Sequence, residues 1–244
     1  MQQWTAIQIL TQVAAELGLP RPASVVGTDV QSQQLLGALN AGGNELLTYY
    51  PWAFLSKDWS FATIQDQANY DLPEDWSYFV DQTQWDSTNR WPLLGPKSPQ
   101  EWAWLRGGMV ASAPRLRYRV RDGQFQLWPI PVAGSDGSFS PYTLTMEYVK
   151  DNWVDKGGGS EGSMIDLDGD IAAYNPWLLI KYTKYKFYIS KGFADAAKAA
   201  QSDFLRMFDS LTGKDVGAGI LSMSPVRTPQ FLGINNIPDG NWNQ

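Results

Sequence analysis

Two blocks of helical hydrophobic spacing flank a long stretch in which apolar and polar positions alternate. Ile7, Leu10, Ala14 and Leu17 predict a helix over 4–17, stopped by Gly18 and Pro20. Asp29 is placed to cap a second helix, which runs to about Tyr50 with Leu35, Leu36, Leu39, Leu46 and Leu47 inward and ends at Pro51. Its centre holds Gly42-Gly43. Glycine weakens a helix, so the pair predicts the close approach of another backbone.

The period then changes to two. "WSFATIQDQANYDLP" (59–73) predicts a strand, a polar turn and a second strand closed by Pro73. "RLRYRVRDGQFQLWPIP" (115–131) predicts a hairpin about Asp122-Gly123, a strong type I′ signal. A two-residue turn sets Val120 opposite Phe125 and Tyr118 opposite Leu127. Arg121, Arg119 and Arg117 then face Gln124, Gln126 and Trp128, the last pair within reach of a cation–π contact. "YTLTMEYV" (142–149) alternates as a further strand, and the glycines of 155–163 predict a flexible linker or loop. Helices return over 176–191 and 193–212, with Gly213 as the stop. Residues 214–244 are rich in Gly, Pro and Asn, show no period, and read as extended.

The order predicts an α+β chain: a four-helix bundle, an inserted antiparallel β-rich domain and an extended C-terminal arm. The bundle is formed by 1–55 and 164–213, the insertion is 56–154, the linker 155–163 and the arm 214–244.

"QWDSTNRWPLLGPKSPQEWAWL" (84–105) stands out within the insertion. Ser98-Pro99-Gln100-Glu101 is a capping box with proline at the first helical position, so a short helix follows, ended by Gly107-Gly108. The stretch reads either as a loop packing its tryptophans onto the sheet or as a protein-binding surface presenting Trp85, Arg90, Trp91, Trp102 and Trp104.

Composition narrows the chemistry. The chain of 244 residues has no cysteine and no histidine, but 12 tryptophans. Disulfides, thiolate nucleophiles, histidine-based triads and the usual zinc sites are excluded. The net charge of −6 is spread along the chain, so no segment reads as a dedicated nucleic-acid binder. The first 22 residues lack the basic leader and unbroken apolar core of a secretory signal, and no apolar run is long enough to span a bilayer.

What chemistry remains is thin. Asp166, Asp168 and Asp170 alternate as calcium ligands can, but without the glycine and glutamate of the full loop. Asp168 or Asp170 reads instead as a cap for the 176–191 helix. Glu74, Asp75, Asp81 and Asp86 lie near tryptophans, the raw material of a glycosidase pair. Tryptophan platforms also suit a carbohydrate-binding component of a tail or wall apparatus. Lys181, Lys184 and Lys191 fall near one helix face, either solvated or used in a ring contact or a DNA-facing lining.

Five stretches occurring in order, "LLGALNAGGNELLTYYPWAFL", "FATIQDQANYDLPEDW", "TQWDSTNRWPLLGPKSPQEWAWL", "RYRVRDGQFQLWPIP" and "MIDLDGDIAAYNPWLLIKYTKYKFYISKGFADAAKAA", resemble the head-to-tail adaptors of tailed bacteriophages, the head-completion or tail-tubular-A-like group. The resemblance covers roughly residues 30–210. It implies a virion structural protein at the head–tail junction, assembled in the host cytoplasm, without enzymatic activity, cofactor or metal. It also implies a twelve-fold homo-oligomeric ring under the portal protein that lets DNA pass without specific binding and docks tail or nozzle proteins. The arm, with Ile220, Leu221, Phe231, Leu232, Ile234, Ile237 and Trp242, is then the portal-binding element. Lys181, Lys184 and Lys191 mark the ring or lumen face.

Overall fold

The computed structural model describes residues 3–27, 29–107, 115–134 and 137–215. It is a mixed α+β fold of helices and antiparallel sheets. Helix α1 (Ala6–Leu17) begins where the Thr5 backbone N–H donates to Gln8 Oε1 at 3.0 Å and ends at Gly18, in the left-handed conformation at φ 67°. Helix α2 (Val30–Tyr49) begins with the Asp29 carboxylate accepting the Ser32 N–H at 2.9 Å. Helix α4 (Pro176–Ser190) is capped by Asn175, whose side chain accepts the Trp177 N–H at 2.9 Å, not by Asp168 or Asp170. Helix α5 (Ala194–Asp215) runs through Gly213 rather than stopping there. A single interior glycine lowers helix stability by about 1 kcal/mol, too little to end a long helix.

Helix α4 packs against α1, α2 and α5. This explains why Leu178, Leu179, Ile180, Tyr182, Thr183 and Phe187 are all buried although they do not share one face. The tight spot is Gly42-Gly43. A Cβ on Gly42 would lie 2.7 Å from the Tyr182 ring, and one on Gly43 2.2 Å from the Trp153 indole. The glycines admit two aromatic rings, not the backbone expected from the sequence. The Trp153 ring is fixed by its N–H donating to Asn44 Oδ1 at 2.9 Å.

Strand β1 (Ser56–Ala62) pairs with β8 (Thr143–Lys150), which also pairs with β3 (Trp76–Phe79) and β4 (Trp85–Asp86); β5 (Trp91–Pro92) extends from β4. A second sheet joins β2 (Asn69–Asp71), β7 (Gln124–Trp128) and β6 (Arg117–Arg121) in the order β2-β7-β6. The β6–β7 hairpin has the expected register, Val120 opposite Phe125 and Tyr118 opposite Leu127, with positive φ at both Asp122 (56°) and Gly123 (69°). The strands read from 59–73 therefore belong to different sheets.

These two sheets face each other across Tyr70, Tyr118, Phe125, Leu127, Leu144 and Met146, flanked by Trp59, Phe61 and Phe79. Phe125 is the hub. Trp59, Phe61 and Phe79 meet it edge-on at 5.7, 5.9 and 5.7 Å, and Tyr118 stacks on it at 5.0 Å.

The third sheet corrects the expectation of a flexible linker at 155–163. Strands β9 (Val154–Gly157) and β10 (Ser160–Gly162) form a hairpin, and β11 (Ile171–Ala172) pairs with β9. Gly157, Gly158 and Gly159 all have positive φ, the conformation that glycine adopts without steric penalty, so the run makes a turn. Val149, Trp153 and Val154, within the range read as the insertion, sit in the helical core.

Candidate functional site

The tryptophan-rich stretch divides by burial. The short helix α3 (Pro99–Arg106) starts with the expected capping box: Ser98 Oγ accepts the Glu101 N–H at 3.2 Å and Glu101 Oε2 accepts the Ser98 N–H at 3.1 Å. Trp102 is buried, 5% exposed, whereas Trp104 is 56% exposed and Trp91 38%. Trp85 is half-buried in β4, and Arg90 is exposed at φ 58° in the turn after it. The Arg119 guanidinium lies 4.5 Å over the Trp102 ring and its Nε donates to Gln126 at 2.7 Å. The cation–π contact expected at Arg117 and Trp128 thus forms one pair along, because α3 brings Trp102 onto that face.

The candidate lysines, Lys181 and Lys184 of α4 and Lys191 just after it, are not alike. Lys184 pairs with Glu16 of α1 at 3.2 Å. Lys191, exposed, donates to Gln34 of α2 at 2.7 Å and lies over the Phe187 ring. Lys181 and Lys184 line one depression with Glu16, Tyr188 and Asp203. The arm residues Ile220, Leu221, Phe231, Leu232, Ile234, Ile237 and Trp242 lie outside the described residues.

Of the acids considered for chemistry, Asp75, Asp86, Asp166, Asp168 and Asp170 are held by structural partners. Asp86 is buried and accepts the N–H groups of Thr88 and Asn89 at 3.0 and 3.1 Å and the Asn89 amide at 2.7 Å, closing a turn. Asp168 accepts the Ser24 hydroxyl at 2.9 Å and the Val25 N–H at 2.6 Å, tying the α1–α2 connection down. Asp170 is buried, and burial would raise its pKa. The N–H groups of Asp166 and Leu167 and the Lys156 ammonium outweigh that and hold it below the usual carboxylate range.

One network was not foreseen from the sequence. Lys57 of β1 donates to Asp75 at 2.7 Å and to Glu161 of β10 at 3.4 Å; Tyr148 of β8 donates to Asp75 at 2.8 Å, and Lys150 pairs with Glu161. These links fasten the glycine hairpin to the central sheet. Burial, and then the hydrogen bond to Asp75, push the Tyr148 phenol up to about 12. Burial opposes Asp75 ionisation, but Lys57 and Tyr148 prevail and hold its carboxyl low. Asp151, beside it, is raised by burial and by the Asp75 charge. Only the alternating burial of 143–150 hinted at this meeting, since its partners come from four separate stretches.

A second feature is a depression of about 320 Å³ between α2, α4 and α5, lined by Tyr49, Tyr182, Tyr185, Phe204, Leu205 and Phe208. Glu45 accepts from Tyr182 and pairs with Lys186 at its edge.

Lys57, Lys150 and Lys156 are tied up in bridging pairs, while Trp91 and Trp104 are left at the surface. The family model for SU10 adaptor protein matches residues 4–229, nearly the whole chain. The chain belongs to that family, a family of phage head-to-tail adaptors. Its role is that of a phage structural adaptor, and the family implies a place in the virion. A search of curated proteins finds no match. Among the described residues no helix is long and apolar enough to cross a membrane.

Proposed function

We propose that the protein forms a ring, twelve-fold in expectation, between the portal and the tail, closing the filled head and continuing the DNA channel. The observation that carries this is the family match over 4–229. The surface agrees with it. A ring needs two unlike contact faces on each subunit, and exposed large apolar side chains occur on both the helical side (Tyr49, Leu205, Phe193) and the β side (Trp91, Trp104, Ile64). In this reading Trp104, Trp91 and Arg90 contact a tail protein or neighbour, with Trp85 and Trp102 bracing them from within. Lys181, Lys184 and Lys191 mark a ring or lumen face, and the arm read from 214–244, of which Lys214 and Asp215 belong to α5, is the portal-binding element. DNA passes without specific binding, because an acidic protein repels phosphate at short range.

Native mass spectrometry of the protein, alone and mixed with the portal ring of its own phage, tests the reading. A defined ring stoichiometry on the portal is expected. A monomer that ignores the portal overturns it. Removing 225–244 should leave a folded subunit that no longer attaches to heads; normal attachment would refute the role of the arm.

A further inference from the structure

The two sheets of the sandwich share one core, so their outer faces look in opposite directions. Those faces differ in charge. On the five-stranded sheet, Asp58 of β1 and Glu147 of β8 stand directly opposite each other. Like charges in that position oppose strand pairing. Neither carboxylate has an ion pair among the described residues. Their neighbours on that face are hydroxyls: Ser60 and Ser87 lie 3.2 and 3.1 Å from Thr145 Oγ1.

The other outer face is basic. Strand β6 sets Arg117, Arg119 and Arg121 at alternate positions, opposite Trp128, Gln126 and Gln124. Arg106 ends α3 nearby. Between 97 and 128 six bases stand against two acids, Glu101 and Asp122, which pair with Lys97 and Arg121. Asp71, at the edge, accepts from Gln124 at 3.1 Å. The Arg119 guanidinium is fixed between Trp102 and Gln126. Burial first, and then the charges of Arg121 and Arg106, lower its pKa, so the guanidinium groups crowd one another.

We propose that these two faces form one repeating contact, the Asp58/Glu147 face of one copy seated against the Arg106/Arg117/Arg121 face of the next. The inference rests on the ring reading and states where its contact lies. Complementary patches pointing in opposite directions generate a head-to-tail series, as a cyclic ring requires. Charge complementarity sets register and speeds encounter. A second copy is favoured over DNA as the occupant because it accounts for both faces at once. DNA would explain the arginines and leave the opposed carboxylates without a partner.

Charge reversal decides it. The full chain is prepared as Asp58→Lys/Glu147→Lys and as Arg117→Glu/Arg121→Glu, and assembly is read by native mass spectrometry with and without the portal ring. Each variant alone meets like charge at every contact, and its assembly should weaken at least about tenfold. An equal mixture restores complementarity at every contact of an alternating ring, so rings should reappear. That rescue also shows that both variants are folded. A third variant, Asp58→Asn/Glu147→Gln, should melt at a higher temperature as a free subunit yet assemble less well, a pair of opposite effects that a purely structural role does not give. Single variants that assemble normally, or a mixture that does not, would overturn the contact while leaving the ring intact. Loss confined to the arginine variant would assign that face to DNA or the portal instead. A wild-type chain that never forms a ring would remove the ring reading itself.

Discussion

The helical core gathers residues from Ala6 to Phe204, whereas the sandwich core closes within Tyr70 to Met146. They are also held together differently. The helical core depends on absence of side chain, with two glycines opening room for Trp153 and Tyr182. The sandwich depends on abundance, with rings arranged around Phe125. A packed site made of glycine fails when an atom is added, and one made of phenylalanine fails when atoms are removed.

The contrast can be broken from either side. Phe125→Ala removes the hub and should cost about 4 kcal/mol in denaturant unfolding. A loss below about 1 kcal/mol would show that the surrounding rings collapse into the space. Gly43→Ala adds one carbon against a fixed indole and should cost about 3 kcal/mol, against a gain for the same change at an exposed helix position. Unfolding followed by fluorescence and by circular dichroism should coincide for both variants; separated transitions would show that the cores melt independently.

Smaller effects sharpen the picture where the cores meet. Asp75 is held below its unfolded pKa, so its contribution to stability is present above about pH 4 and is lost as pH falls through the folded value. Asp151 is raised, so it has the reverse sign: its charged form opposes folding above the folded pKa, and protonation lifts that opposition. Asp75→Asn should therefore destabilise more at pH 7 than at pH 3, while Asp151→Asn should stabilise at pH 7. Matched urea titrations at the two pH values check both signs. Smallest is Ser98→Ala, which removes an exposed cap from α3 and should lower stability by about 1 kcal/mol. Its readout is a modest shift in the unfolding midpoint.

The features legible in the sequence were those decided within a few residues. The Asp29 and Ser98 caps and the Asp122-Gly123 turn have short-range causes, and each formed as read. Readings that needed a distant partner went astray. The cation–π contact moved because Trp102 arrives from another element. Gly42-Gly43 announced a close approach but not the rings that make it, since Trp153 and Tyr182 are more than a hundred positions away. The glycine run at 157–159 has the composition of a linker, and only the ion pairs of Glu161 with Lys57 and Lys150 show why it docks. Of the candidate surface, the exposed tryptophans and the alternating arginines were visible in the sequence. The opposed carboxylates were not, because β1 and β8 meet across some ninety residues.

Strand β8 belongs to both cores. Leu144 and Met146 lie in the sandwich, and Val149, a few residues on, lies in the helical core. The join between the two regions is thus covalent backbone inside a sheet, clamped on one side by β1 and on the other by β3 and β4. Strand β3, paired with β8, does the same, with Tyr78 against the helical core and Phe79 against the sandwich, so a pull applied to one region reaches the other along paired strands and loads the hydrogen bonds between them in shear.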